Sequence, residues 1–276
     1  LLNTDGTYTL QDWVETPYEY LTAFNESREI PIIGNTIKIG FMNPITGPLE
    51  PDAYGFWWGA DQAIRDLKEI YPDFDFELIE VDSGCNVDMA YDAAQRLVDE
   101  GVVAVVGAAC SGASMGANVV LSAAGIPMIS YASTNPGLSD ATAYPLFYRV
   151  VPSDAIQGPA GADMMADAGV TNGSLAILHM TNDYGSGLAD SIKGAWEEDG
   201  HTLCGAGMQG YEDTTTDFKA LADSISSKED CTAVYLSSYI QDAAGIIEAL
   251  KDNDWDGKIF AGDGPAGVGL YEKMGD

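Results

Sequence analysis

Basic residues are scarce in this 276-residue chain: 12 Lys and Arg stand against 43 Asp and Glu, a formal net charge of −31. Phosphate backbones are gripped by Lys and Arg, so nucleic acid is excluded as a partner, and anionic lipid surfaces with it. The acidic surplus reads as a solvated surface, or as adaptation to a saline medium where screening relieves self-repulsion. There are only two histidines, His179 and His201, and the four cysteines form no CxxC. Zinc clusters need more than that, so neither a metal nor a cofactor is expected. Long apolar runs are missing too: no stretch of about 18 apolar residues marks a membrane span.

Catalytic signatures are equally thin. Ser111 follows Ala109 and Cys110, so no Gly-x-Ser-x-Gly elbow forms. Neither HExxH nor a Walker A sequence appears. The GxGxxG matches at 205–210 (GAGMQG) and 262–267 (GDGPAG) open no helix on the first strand of a unit, and the second carries Pro265. DNDWDGKIFAGD, from Asp252 to Asp263, spaces its acids like a calcium loop, but a glycine-rich GPAGVG follows where an exiting helix is needed. A polar helix-to-strand loop is expected instead. His179, inside an apolar strand, reads as a core residue. The chain is therefore read as a non-enzyme, with a Cys110–histidine nucleophilic pair as the competing reading.

What the sequence does have is alternation. Residues 1–35 are polar and aromatic without periodicity and read as an N-terminal extension or spacer. The first residue is Leu1, no signal peptide is visible, and GVGLYEKMGD at the end reads as the start of a helix, so a processed chain or a fragment is expected. From Ile37 the apolar runs IKIGFM, FELIEV, VVAVVG, IPMISYA and LFYRVV alternate with helical stretches. Asn86 and Gly101 are placed to cap and end a helix whose apolar face holds Met89, Ala93, Leu97 and Val98. Near residue 150 the pattern restarts, with Asp154 as a helix cap and SLAILHM, HTLCGAGM, CTAVYLSSY and GKIFAG as strands. Strands alternating with helices predict parallel α/β sheets. The expected organisation is two Rossmann-like lobes, 36–150 and 151–276, the second incomplete.

Ligands of such sheets bind beyond the carboxyl ends of the strands. Ser111, Thr134, Tyr184, Tyr239 and Asp263 all follow predicted strands, so they are candidates for one cleft. Their chemistry suits a free amino acid. Ser111 and the N–H groups of the turn CSGAS, with Thr134, suit a carboxylate. Asp263 and the Ala132 carbonyl suit an ammonium, and Tyr184, Tyr239, Trp57 and Trp58 offer apolar walls. The cysteines read as two disulfides of an exported protein, with buried free thiols as the alternative.

The stretches IKIGFMNPITGPL, DSGCNVDMAYDAAQRLVDEGVVAVVGAACSGAS, IPMISYASTNPGLS, NDYGSGLADSIKGAWEEDG and FAGDG occur in this order. The set resembles the leucine/isoleucine/valine-binding protein family, the type I substrate-binding proteins of ABC importers, from about Ile37 onward. The resemblance implies two hinged lobes closing on a small amino acid of the branched-chain class. It implies a membrane permease as partner and an extracytoplasmic location, periplasmic or at the cell surface, with or without a lipid anchor. Ser111 and Thr134 would bind the ligand carboxylate, Ala132 and Asp263 its ammonium, and Tyr184 and Tyr239 would close from the second lobe. Tyr54, Trp57 and Gly112 are weaker ligand candidates. A disulfide Cys85–Cys110 is implied by the family's spacing; Cys204 and Cys231 are read as a second disulfide, with buried free thiols as the alternative there. A sensory ligand-binding domain, or a receptor for urea or short amides, would use the same scaffold.

Overall fold

The computed structural model describes residues 36–274. The segment 1–35, expected as a spacer, lies outside the described residues. Two sheets organise the chain. The first holds β1 (Thr36–Asn43), β2 (Asp75–Asp82), β3 (Ala104–Val106), β4 (Met128–Ser130) and β5 (Phe147–Arg149) in the order β2-β1-β3-β4-β5. The second holds β6 (Leu175–Met180), β7 (Leu203–Tyr211), β8 (Ala233–Ser237) and β9 (Lys258–Ala261) in the order β7-β6-β8-β9. β1–β3, β3–β4, β4–β5 and all three pairs of the second sheet run parallel. This is the two-lobed α/β architecture expected from the alternation. Both orders reverse beside their first strand, at β1/β3 and β6/β8, and crevices open there beyond the carboxyl ends.

Eight helices flank the sheets among the described residues: α1 (Glu50–Ile70), α2 (Val87–Glu100), α3 (Ser111–Ala124), α4 (Asp154–Asp167), α5 (Asp183–Glu198), α6 (Lys219–Ser226), α7 (Ile240–Asp252) and α8 (Val268–Met274). None of them is long and apolar enough to cross a membrane. Local chemistry sets their ends. The Asn86 side chain accepts from the N–H groups of Asp88 and Met89 at 3.0 Å each, and Gly101 closes α2 in the left-handed region at φ 76°.

Two local expectations need correcting. The buried face of α2 is Ala90, Ala93, Ala94 and Leu97, whereas Met89 is 43% exposed. The alanine stripe lies one position further round the helix, which leaves the Met89 side chain over Gly84. The cap of α4 is Ser153, whose hydroxyl accepts from the Ala155 N–H at 3.2 Å. Asp154 is the first helical residue and is drawn inward, its N–H donating to the Thr134 carbonyl at 2.9 Å.

The core is densest around the second sheet. LAILHM and AVYLS are buried almost throughout, and Trp196, Tyr235, Leu175, Ile177 and Leu178 are among the largest enclosed side chains. The uniform burial fits strands covered on both faces. Two disulfides close, Cys85–Cys110 and Cys204–Cys231, and no cysteine is free. DNDWDGKIFAGD divides into the end of α7, a loop, and β9, the helix-to-strand loop expected of it.

Candidate functional site

On the first lobe, β3 runs into a turn whose carbonyls are held by hydroxyls. The Ala108 carbonyl accepts from Ser130 at 2.6 Å, and the Ala109 carbonyl from Ser133 at 3.0 Å. Ser114 and Ser133 are linked at 2.8 Å. These serines fix the backbone just before α3. Cys110 is the N-cap of α3 but makes no side-chain cap hydrogen bond, because its sulfur is bonded to Cys85. The first N–H groups of α3 therefore have no capping side chain, and the helix dipole favours an anion there. Ser111 is buried beside them. Its oxygen accepts from the Asn135 N–H at 3.2 Å, which leaves its own O–H to donate elsewhere.

The second lobe contributes large side chains. Tyr184, in the first turn of α5, stacks on Tyr239, the N-cap of α7, with centroids 5.1 Å apart and planes at 10°. The Tyr184 hydroxyl donates to Asp263 Oδ1 at 2.8 Å and accepts from the Gly264 N–H at 2.8 Å. Gln157 Nε2 from α4 donates to the same Oδ1 at 2.9 Å. Gly264 is required by close approach: a Cβ there would sit 2.4 Å from the Ser238 carbonyl and 2.6 Å from the Tyr184 hydroxyl.

One cleft of about 690 Å³ joins these walls. Ser111 and Ala132 line it from the first lobe, and Tyr184, Tyr239 and Asp263 from the second. Five of the candidates thus share one cavity. Thr134 is not among the lining residues; its side chain is buried behind them, near Asp154. Tyr54 and Trp57 also lie off the lining, stacked on each other at 6.0 Å along α1, with Tyr54 73% exposed. Gly112 does not line the cleft either. A Cβ on it would come within 2.6 Å of Asp183 Oδ2, so it marks a tight approach between the lobes. A direct bond crosses nearby, Asn135 Nδ2 donating to the Asp183 carbonyl at 2.5 Å.

Sequence reasoning missed Leu49, Phe56, Ile240 and Gln241, which line the same cleft, and the pair Gln157 and Asp154 behind it. A signal for that pair exists. Both lie in the first turn of the helix that follows the passage between lobes, three residues apart on one face.

The electrostatics are set by burial. Burial raises the Asp263 carboxyl above its ordinary range, while the Tyr184 hydroxyl pulls it down. Burial pushes Asp154 up to about 7; the Thr134 hydroxyl lowers it, the Asp263 charge raises it and Arg149 lowers it. Tyr184 and Tyr239 are raised, first by burial and then by neighbouring aspartates, so both phenols stay neutral and able to donate.

Residues 36–270 match the family model described as periplasmic binding protein, and the chain belongs to that family. It is 28% identical over 240 residues to the leucine-, isoleucine-, valine-, threonine- and alanine-binding protein of Pseudomonas aeruginosa. That match covers 86% of this chain and 62% of the relative, so the chain spans under two thirds of the relative's length. The crystal structure of a leucine-binding protein from Thermotoga maritima superposes with a TM-score of 0.77 at 26% identity, covering 87% of this chain and 67% of that one. A solute-binding protein of an ABC transporter from R. palustris, in complex with 4-hydroxybenzoate, superposes at 0.73 with 18% identity, over 84% of this chain and 62% of that one. The last likeness is one of fold alone.

Proposed function

We propose that this chain is the solute receptor of an ABC importer and binds a small amino acid, of the branched-chain class, between its lobes. The observation that carries the reading is the pairing of opposite chemistries across one cleft. The N-terminus of α3 with Ser111 faces a wall where Asp263 is held by Tyr184 and Gln157. A carboxylate is matched to the first wall, and an ammonium to Asp263 and the Ala132 carbonyl. Leu49, Phe56, Tyr239 and Ile240 then enclose an apolar side chain. The names of the relatives support the same class. Urea and simple amides have no cation to neutralise Asp263, so they fit less well.

The lobes 36–150 and 151–276 act as bodies that hinge around the ligand, and the closed form is what a membrane permease recognises. Two disulfides suit an oxidising, extracytoplasmic compartment. Enzymatic use of Cys110 is disfavoured because its sulfur is bonded to Cys85 and is not a thiolate. The test is thermal unfolding with leucine, isoleucine and valine, beside their methyl esters and N-acetyl derivatives. A free amino acid at about 100 times its Kd adds about 2.7 kcal/mol of stability. Both blocked forms should lose most of the shift, the ester at Ser111 and the N-acetyl form at Asp263. Equal shifts from all three forms would overturn the proposed pose.

A further inference from the structure

One side chain holds the loop from Ser133 to Ser139. Arg149, at the end of β5, donates to the Asn135 carbonyl at 2.9 Å, to the Ser133 carbonyl at 3.3 Å and to the Ser139 hydroxyl. Asn135 is thereby fixed beside Ser111, where it makes three further bonds. Its N–H donates to Ser111 Oγ at 3.2 Å, which leaves the Ser111 proton free to donate. Its Oδ1 accepts from the Gly137 N–H at 2.7 Å, which orients the side-chain amide. Its Nδ2 then reaches the other lobe and donates to the Asp183 carbonyl at 2.5 Å. Asp183 is the first residue of α5 and the neighbour of Tyr184. The lobes approach this closely because each carries a glycine at the contact. A Cβ on Gly187, one turn along α5, would sit 2.5 Å from Asn135 Nδ2 and 3.4 Å from Pro136 Cδ. A Cβ on Gly112, in the opening turn of α3, would sit 2.6 Å from Asp183 Oδ2. The Asp183 carboxylate thus lies against the helix end that favours an anion.

We propose that Asn135 is a positioning residue that latches the lobes: its backbone N–H sets the Ser111 hydroxyl for the ligand carboxylate, and its side-chain amide holds the start of α5, with Tyr184, over the same cleft. The ligand half of this proposal rests on the amino-acid reading of the cleft. The bond to Asp183 exists only while the lobes are in contact, so it stabilises the closed form and not the open one. Losing it should leave the encounter with ligand unchanged and speed its escape. One hydrogen bond of ordinary strength corresponds to about a fivefold change in koff.

Two variants break the bond by different routes. Asn135→Asp keeps an acceptor for the Gly137 N–H but sets an oxygen against the Asp183 carbonyl. Gly187→Ala pushes a methyl group against the Asn135 amide nitrogen. Ala is the better helix former, so this variant should lose no folding stability. Gly194→Ala, on the same helix with nothing within 4 Å of an added Cβ, is the control. In ligand-free protein, spin labels on Gln95→Cys in α2 and Glu198→Cys in α5, both exposed positions, report the distance between the lobes by pulsed EPR. Both latch variants should shift the distribution to longer distances, and Gly194→Ala should leave it in place. Unchanged distributions in both latch variants would overturn the latch, whatever the ligand does. In stopped-flow binding of leucine, Asn135→Asp and Gly187→Ala should raise koff about fivefold with kon little changed. Longer distances with an unchanged koff would overturn the tie between latch and ligand. An equal rise in koff for Gly194→Ala would assign the effect to the helix and overturn it too. No binding of leucine, isoleucine or valine by wild type would overturn the functional reading and the tie to the ligand, and the distances alone would then decide the latch.

Discussion

The two walls of the cleft are built on opposite plans. For the ligand's charged end the first lobe offers small residues, Ala132, Ser111 and the opening turn of α3, held by a net of serine hydroxyls on the Ala108 and Ala109 carbonyls, with Leu49 and Phe56 as its apolar part. The second offers Tyr184, Tyr239 and Asp263, large groups whose protonation is moved by burial. The sheets beneath differ in the same sense. The central strands β6 and β8 of the second are buried on both faces, whereas the first leaves an apolar groove of about 450 Å³ between its strands and α1, lined by Ile39, Phe41, Phe56, Ile64 and Tyr131. Recognition by backbone N–H groups needs a fixed turn and little else. Recognition by side chains needs a packed support that holds each ring and carboxylate in place, and the second sheet supplies it.

The largest effect should come from breaking that support. Trp196 on α5 is fully enclosed, stacks on His201 at 4.3 Å, and donates its indole N–H to the Thr202 carbonyl at 3.1 Å. Trp196→Ala should cost about 3–5 kcal/mol. Phe56→Ala, at the rim of the open groove, should cost distinctly less, because part of its surface is already in contact with solvent. Denaturant unfolding of both variants checks the contrast, and equal losses would remove the asymmetry between the sheets.

Next come the disulfides, one on each side. Their loops span 25 and 27 residues, so loop closure gives nearly the same stabilisation, about 3 kcal/mol each. Their effects on binding should differ. Cys85–Cys110 anchors the turn that starts α3, whereas Cys204–Cys231 joins the start of β7 to the approach to β8, away from the cleft lining. Paired serine substitutions should therefore lower the unfolding free energy alike, but only loss of Cys85–Cys110 should weaken ligand affinity at a temperature where both variants are folded.

Much of this was legible in the sequence, for reasons specific residues make plain. Asn86 and Gly101 announce α2 because capping is local chemistry. Ser111, Ala132, Tyr184, Tyr239 and Asp263 share the cleft because each follows a strand, and parallel strands deliver their ends to one edge. What was not legible depends on rotation and on long-range contact. On α1 one residue of phase separates Phe56, which lines the cleft, from Trp57, which stacks on Tyr54 outside it. Thr134 has the right position along its loop, but its carbonyl accepts from the Asp154 N–H, and the residue turns toward the passage between lobes. The inward turn of Asp154 follows from that same contact, which no local pattern announces.

The smallest effect, that of Ser111→Ala set against Asp263→Asn, should mark the difference between the walls most directly. Asp263→Asn keeps the size of the side chain and an acceptor for Tyr184 but removes the charge opposite the ammonium. Truncating one side of an enclosed charge pair costs about 2–5 kcal/mol, at least thirtyfold in affinity for a free amino acid. Ser111→Ala removes one hydroxyl, while the N–H groups at the start of α3 stay where the Ala108 and Ala109 carbonyls hold the turn. Its cost should be that of a single hydrogen bond, about 1 kcal/mol or roughly fivefold, with the remaining carboxylate contacts intact. Calorimetric titration of both variants measures the two losses on one scale. A Ser111→Ala loss as large as that of Asp263→Asn would mean that the first wall binds through its side chain after all. The ordering expected here follows from a wall whose donors belong to the backbone, which no side-chain substitution removes.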